Sequence, residues 1–282
     1  MIQTDPRQLI QQIDDLGYVI EEDLSTVIYL MLQLQKPLLL EGDPGVGKTQ
    51  IAYIMSQLLG HDLIRLQCYE GLDTNNAIYE WNYQKQLLAI KIRENSELSE
   101  QQKEDLIFDE EYLLKRPLLE AITSDRPKVL LIDEIDRADE EFEAFLLELL
   151  SDFQISIPEL GTIKAKHRPI VILTSNRTRE LSDALKRRCL YHWVNYPSLE
   201  KEIRIIHKHL PDVSNQLAKA VADHVSRIRS LKLDKTPGIA ETIDWARGIA
   251  VLNDDNDKMR KTLSCLLKSE RDIQLVTEEL FT

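Results

Sequence analysis

Gly42-Asp43-Pro44-Gly45-Val46-Gly47-Lys48-Thr49, followed by Gln50, is the stretch whose reading decides the architecture. It fits the pattern G-x-x-x-x-G-K-[ST], and it stands where that pattern has physical meaning. The apolar run Leu38-Leu39-Leu40 precedes it and a helical segment, Gln50 to Leu59, follows. Glycines let the backbone curl until its N–H groups point at one centre, and the helix N-terminus adds a favourable dipole. The segment Gly42 to Gln50 is therefore predicted to wrap the phosphates of ATP. Lys48 is expected to neutralise β- and γ-phosphate charge, and Thr49 to offer its hydroxyl to Mg2+. All four fixed positions and both flanking elements agree, which a chance glycine-rich turn does not achieve.

Working outward, Val129-Leu130-Leu131-Ile132 delivers two carboxylates, Asp133 and Glu134, at the end of a buried strand. Strand ends of a parallel sheet converge on the ligand crevice, so Asp133 is predicted to hold Mg2+ and Glu134 to orient and deprotonate the attacking water. Ile170 to Thr174 is a further apolar strand, expected beside the first, and it leads to Asn176, which can reach the γ-phosphate or the water. Lys186-Arg187-Arg188 is a basic triplet just before another apolar run, Leu190 to Val194.

Apolar runs near Leu63 to Gln67, Val129 to Asp133, Pro169 to Thr174 and Leu190 to Val194 read as buried strands separated by helical or insert-length sequence. The fold class is α/β, a parallel sheet between helices. Ser25 opens a helical pattern that Pro37 closes. From Tyr196-Pro197-Ser198 onward only helical periodicity remains, so the chain divides into an α/β domain, 1–195, and a small all-helical lid, 196–282. Glu94 to Glu111 holds eight acidic residues against the single Lys103 and reads as a solvated insert within about 85–115. Phe153 to Ile157 alternates and Gly161 can supply a turn.

Composition narrows the function. Of 282 residues, 43% are hydrophobic and 29% charged, with nine Gly and ten Pro, which is the balance of a chain that folds. Thirty-five Lys and Arg against forty-eight Asp and Glu leave a net charge of −13, which repels phosphate backbones and anionic lipid. No nucleic-acid or membrane partner is expected. Cys68, Cys189 and Cys265 lack paired spacing, no run spans a bilayer, and a cytoplasmic setting is inferred.

The series Gly42 to Thr49, Asp133-Glu134, Asn176 and Arg188, followed by a helical region, resembles the AAA+ ATPases. More narrowly it is similar to the MoxR family, in the branch that accompanies carbon monoxide dehydrogenase maturation. The phrases Leu38 to Thr49, Leu131 to Ala138, Ser182 to Leu190 and Tyr196 to Ile203 carry most of the likeness. The resemblance implies Walker A at Lys48 and Thr49, Walker B at Asp133 and Glu134, and sensor 1 at Asn176. It implies an arginine finger at Arg188, with Arg187 as its rival and Arg137 as a second interfacial contact. It further implies a homo-oligomeric ring of six subunits, two inserts facing the ring axis, namely the acidic segment and a hairpin over about 154–167 before sensor 1, a von Willebrand factor A domain partner and a protein client to be remodelled. One departure stands out: Ala240 occupies the place where relatives carry the sensor 2 arginine, so that residue is absent or supplied by Arg247.

A DNA-dependent motor or loader subunit would share the nucleotide motifs, but the acidic balance opposes it. Tyr69, Tyr79, Trp81 and Tyr83 form an aromatic concentration that either packs a helix on the sheet or meets a client. His207 and His209 lie two apart on a predicted helix, point in different directions and cannot share a metal.

Overall fold

The computed structural model of the chain describes residues 5–93, 108–252 and 257–281. They fall into two compact units, one chiefly Thr26–Glu41 with Thr49–His192, the other Thr4–Ser25, Gly42–Lys48 and Trp193–Thr282.

In chain order the strands among the described residues are β1 (Leu38–Gly42), β2 (Leu63–Gln67), β3 (Tyr79–Trp81), β4 (Leu113–Lys115), β5 (Val129–Asp133), β6 (Gln154–Ile157), β7 (Gly161–Lys164), β8 (Ile170–Ser175) and β9 (Leu190–Val194). Five of them form the main sheet in the order β2-β5-β8-β1-β9. The pairs β2–β5, β5–β8 and β8–β1 are parallel, with Gln67 opposite Asp133, Ile132 opposite Leu173 and Glu41 opposite Ser175. Parallel registry sets the C-terminal ends of these four strands in one row, and that row carries the chemistry. β1 and β5 are buried along their whole length, Leu38–Leu40 and Val129–Ile132 as apolar runs and Glu41 and Asp133 as buried carboxylates at their ends.

β2 and β9 depart from the expectation of full burial. Each lies at a sheet edge, and in β2 Ile64 and Leu66 face the core while Arg65 and Gln67 face out. Two helix starts also move. The second helix begins at Glu22, and Ser25 lies inside it because its hydroxyl donates to the Pro6 carbonyl at 2.8 Å instead of capping. The helix after the glycine-rich loop begins at Lys48.

The stretch 94–107, most of the acidic insert, lies outside the described residues. It is preceded by the helix Tyr83–Arg93 and followed by β4, which pairs antiparallel with β3. Trp81 is buried between Tyr79 and Phe108 in edge-on ring contacts, whereas Tyr69 and Tyr83 are exposed. β6 and β7 form an antiparallel hairpin in which Ile157 faces Gly161, whose φ of +77° is one that glycine adopts without strain.

In the second unit the helices Leu199–His209, Asn215–Arg229 and Ile239–Val251 bury Ile206, Val221, Val225, Ile228 and Trp245. Trp245 is fully enclosed and its indole N–H donates to Thr262 Oγ1 at 2.9 Å, so the largest apolar side chain leaves no stranded donor. Ser198 and Ser214 cap the first two of these helices through their hydroxyls. Among the described residues no helix is long and apolar enough to cross a membrane.

Candidate functional site

The glycine-rich loop between β1 and the Lys48–Leu59 helix is built by close backbone approach. A Cβ on Gly42 would lie 2.3 Å from the Val194 carbonyl oxygen, and one on Gly45 would lie 2.8 Å from the Cα of Gly238. Gly45 also has φ +80°, and its carbonyl accepts from the Ile239 N–H at 2.9 Å. The first turn of the helix Ile239–Val251 thus packs backbone to backbone against the loop. Tyr196 adds a third contact, its hydroxyl donating to the Pro44 carbonyl at 3.3 Å. Lys48 is buried, and its ammonium donates to the Gly42 and Asp43 carbonyls at 2.7 and 2.8 Å. The loop therefore curls around the lysine head, and two of its carbonyls hold the positive charge in place.

At the strand ends the polar groups form one connected set. The Thr49 hydroxyl donates to Asp133 Oδ1 at 3.0 Å, and Thr174 donates to the same oxygen at 2.6 Å. Thr174 Oγ1 in turn accepts the Glu134 backbone N–H at 2.9 Å, which secures Glu134 in a left-handed conformation with φ 55°. The Glu134 carboxylate is half-exposed and accepts from Asn176 Nδ2 at 3.3 Å and Gln67 Nε2 at 3.2 Å. Arg137 stands 3.3 Å from it. Asp133 is buried and its other oxygen accepts from Arg65.

The sequence-predicted Thr49, Asp133, Glu134 and Asn176 are thus brought together within one unit. Sequence reasoning missed Arg65, Gln67, Thr174 and Asp136. Buried Asp136 accepts the backbone N–H groups of Asn176 and Thr178 at 3.1 and 2.9 Å, fixing the turn that presents Asn176. Behind it Arg179 is ion-paired with buried Glu143 and donates to the Ala138 carbonyl. Thr174, a hydroxyl in an otherwise aliphatic buried strand, was the visible signal. Cys68, beside Asp133, has its thiol pushed up to about 12 by burial and then by the carboxylates of Asp133, Asp136 and Glu134.

The arginines separate by environment. Arg188 is tied down, donating to Ser151 Oγ and to the Ala184 carbonyl, the latter at 2.8 Å. Arg187 is exposed, and its side chain forms no hydrogen bond or ion pair with the described residues. Arg247 is exposed on its helix and lies 3.4 Å from Asp244. Arg229 is the buried arginine of the second unit: it pairs with Glu202 through two bonds of 2.8 Å and stacks 4.6 Å from the Tyr196 ring centroid. Among the described residues no three His, Cys, Asp or Glu side chains are grouped to hold a metal.

A family model for the AAA domain, dynein-related subfamily, matches residues 37–189, which is more than half of the chain and includes every strand-end residue described above. The chain belongs to the dynein-related subfamily of AAA domains. This AAA domain is accordingly a nucleotide-binding ATP hydrolase with the AAA+ P-loop fold.

Its fold is similar to that of the RuvB Holliday junction branch migration motor of Thermotoga maritima. The TM-score is 0.53 at 17% identity, over 96% of this chain and 76% of that one. Two single-substitution variants of that RuvB each give 0.56, at 18% and 20% identity, over 93% and 95% of this chain and 77% and 79% of theirs. At such identities the likeness is one of fold. A stretch of 47 residues is 38% identical to midasin of Giardia intestinalis, and that stretch is 17% of this chain and 1% of midasin's length.

Proposed function

We propose that this AAA domain is a MoxR-type ATPase that works in a ring, six-membered by the precedent of the resemblance, to remodel or mature a protein client. The branch associated with carbon monoxide dehydrogenase maturation, a von Willebrand factor A domain partner and a cytoplasmic setting belong to the same proposal. The two-domain division, 1–195 and 196–282, is read as nucleotide domain and helical lid.

The observation that carries the reading is the shared geometry of Thr49, Asp133, Glu134 and Asn176. A hydroxyl and a carboxylate 3.0 Å apart make an all-oxygen donor pair, which is the chemistry a hard divalent ion such as Mg2+ prefers. Thr49 and Asp133 would hold that ion, which when bound neutralises phosphate charge. Lys48 supplies the second positive charge from the loop. Glu134 accepts a proton from the attacking water, and Asn176, bonded to the same carboxylate, orients it. Arg187 or Arg188 of a neighbouring subunit completes the charge balance. Of the two, Arg187 is the freer in an isolated chain and Arg188 the one that must first leave Ser151.

Glu134→Gln should retain ATP binding and lose turnover, whereas Lys48→Ala should lose binding. Equal turnover of Glu134→Gln and the unaltered chain at saturating ATP would remove the residue from its role. For the ring, inactive finger-arginine and inactive Lys48→Ala subunits should recover partial activity when mixed, since one interface is then intact. The client reading is tested by ATPase rate: stimulation by a von Willebrand factor A domain protein supports it. Severalfold stimulation by DNA with indifference to that protein would replace it with a DNA-dependent motor.

A further inference from the structure

We propose that Arg65 is a tethered counter-cation that competes with the divalent ion for Asp133 and so sets how much Mg2+ the domain needs before it holds nucleotide firmly. The inference rests on the assignment of Asp133 to the metal.

Arg65 lies on edge strand β2, its side chain 44% exposed, and it reaches a carboxylate that is only 3% exposed. Its Nε donates to Asp133 Oδ2 at 3.0 Å and its Nη2 makes a second bond to the same oxygen. Nη2 also donates to Gln67 Oε1, two residues along the same face of the strand. A carboxylate so far from water needs a cation or a full set of hydrogen bonds, and leaving it unpaired is costly. Thr49 and Thr174 occupy Oδ1, and Arg65 neutralises what remains.

The oxygen pair that fits a divalent ion is thus compensated already by a charge of the chain itself. Two positive charges drawn to one buried carboxylate repel, so metal and guanidinium oppose each other. Arg65 is the partner able to give way. Its long stem leads to solvent, and Gln67 keeps the fork close by, ready to return when the ion leaves. The strand pairing needs no such ion pair, because the backbone register of β2 on β5 is complete from Leu63 to Gln67.

The test is a Mg2+ titration of fluorescent ADP binding, together with the thermal midpoint of the nucleotide-free protein in EDTA. Arg65→Gln removes the charge while keeping a donor, and the Mg2+ concentration for half-maximal binding should fall roughly tenfold. Arg65→Lys keeps a charge that cannot fork, and its midpoint should fall between the two. The thermal midpoint of Arg65→Gln in EDTA should drop, and Mg2+ with ADP should raise it by more than in the unaltered protein. If Arg65→Gln does not fold, Arg65→Lys decides alone. A variant needing as much Mg2+ as the unaltered chain, or more, overturns the proposal. Nucleotide binding of the unaltered chain that ignores Mg2+ altogether would instead overturn the metal assignment.

Discussion

Thr174→Val removes one oxygen from the hub of the strand-end cluster and leaves the shape of the side chain almost unchanged. That hydroxyl donates to Asp133 Oδ1 at 2.6 Å and accepts the Glu134 N–H at 2.9 Å, from a residue that is 1% exposed. Losing a hydrogen bond to a charged acceptor costs about 1.5–3 kcal/mol, and stranding a buried N–H costs about 1–3 kcal/mol. Asp133 keeps Thr49 and Arg65, which favours the lower part of the first range, so the sum should be about 2.5–5 kcal/mol. With a urea slope of about 2–3 kcal/mol/M, the denaturation midpoint should fall by about 1–2 M. The catalytic effect should exceed the binding effect, because the same bond fixes the left-handed backbone of Glu134: turnover should fall at least about tenfold with nucleotide affinity little changed. Thr174→Ser, which keeps the oxygen, should preserve most of both. A Thr174→Val protein within about 0.5 kcal/mol of the parent, or a Ser variant as damaged as the Val variant, would refute the hub role.

Gly238→Ala should weaken nucleotide binding although Gly238 lies outside the glycine-rich loop, since the added Cβ would meet Gly45 Cα at 2.7 Å and push on that loop; calorimetric ADP binding is the check, and unaltered affinity would mean the contact yields freely. Glu202→Ala strands buried Arg229 and should cost about 3–5 kcal/mol, read by chemical denaturation. The Cys68 thiol should resist alkylation at pH 8, where a free thiol reacts. Its folded value, about 12, lies above the ordinary one of about 8.5. Its contribution to stability is therefore complete below about pH 8.5 and lost as pH climbs toward 12, and a Cys68→Ala chain should lose less stability across that span.

The centre of the main sheet was legible because β1, β5 and β8 carry compact apolar runs between punctuating residues, and the loop from Gly42 to Thr49 was legible because its glycines stand at fixed spacing, two of them, Gly42 and Gly45, held by close backbone contacts. β3 and β4 were not: three residues each, too short to show alternation, they pair across an intervening stretch that a local reading cannot bridge. Arg65, Gln67 and Asp136 escaped for a related reason. Nothing near Arg65 in sequence marks it, and its importance arises only when parallel registry sets β2 beside Asp133. Ser25 misled in the other direction, since a serine ahead of an apolar run looks like a cap until its remote carbonyl partner is known.

Edge strands are ordinarily where a sheet absorbs insertions and deletions over evolutionary time, and β2 is an edge strand that cannot. Side chains on a strand alternate with period two, so a single residue gained or lost between Leu63 and Gln67 would turn Arg65 inward and Ile64 outward. A gain of two would restore the faces but carry the guanidinium about 6.6 Å along the strand, beyond reach of Asp133. Length drift in descendants of this chain should therefore be absorbed in the connections that flank β2, while the five positions of the strand keep their count.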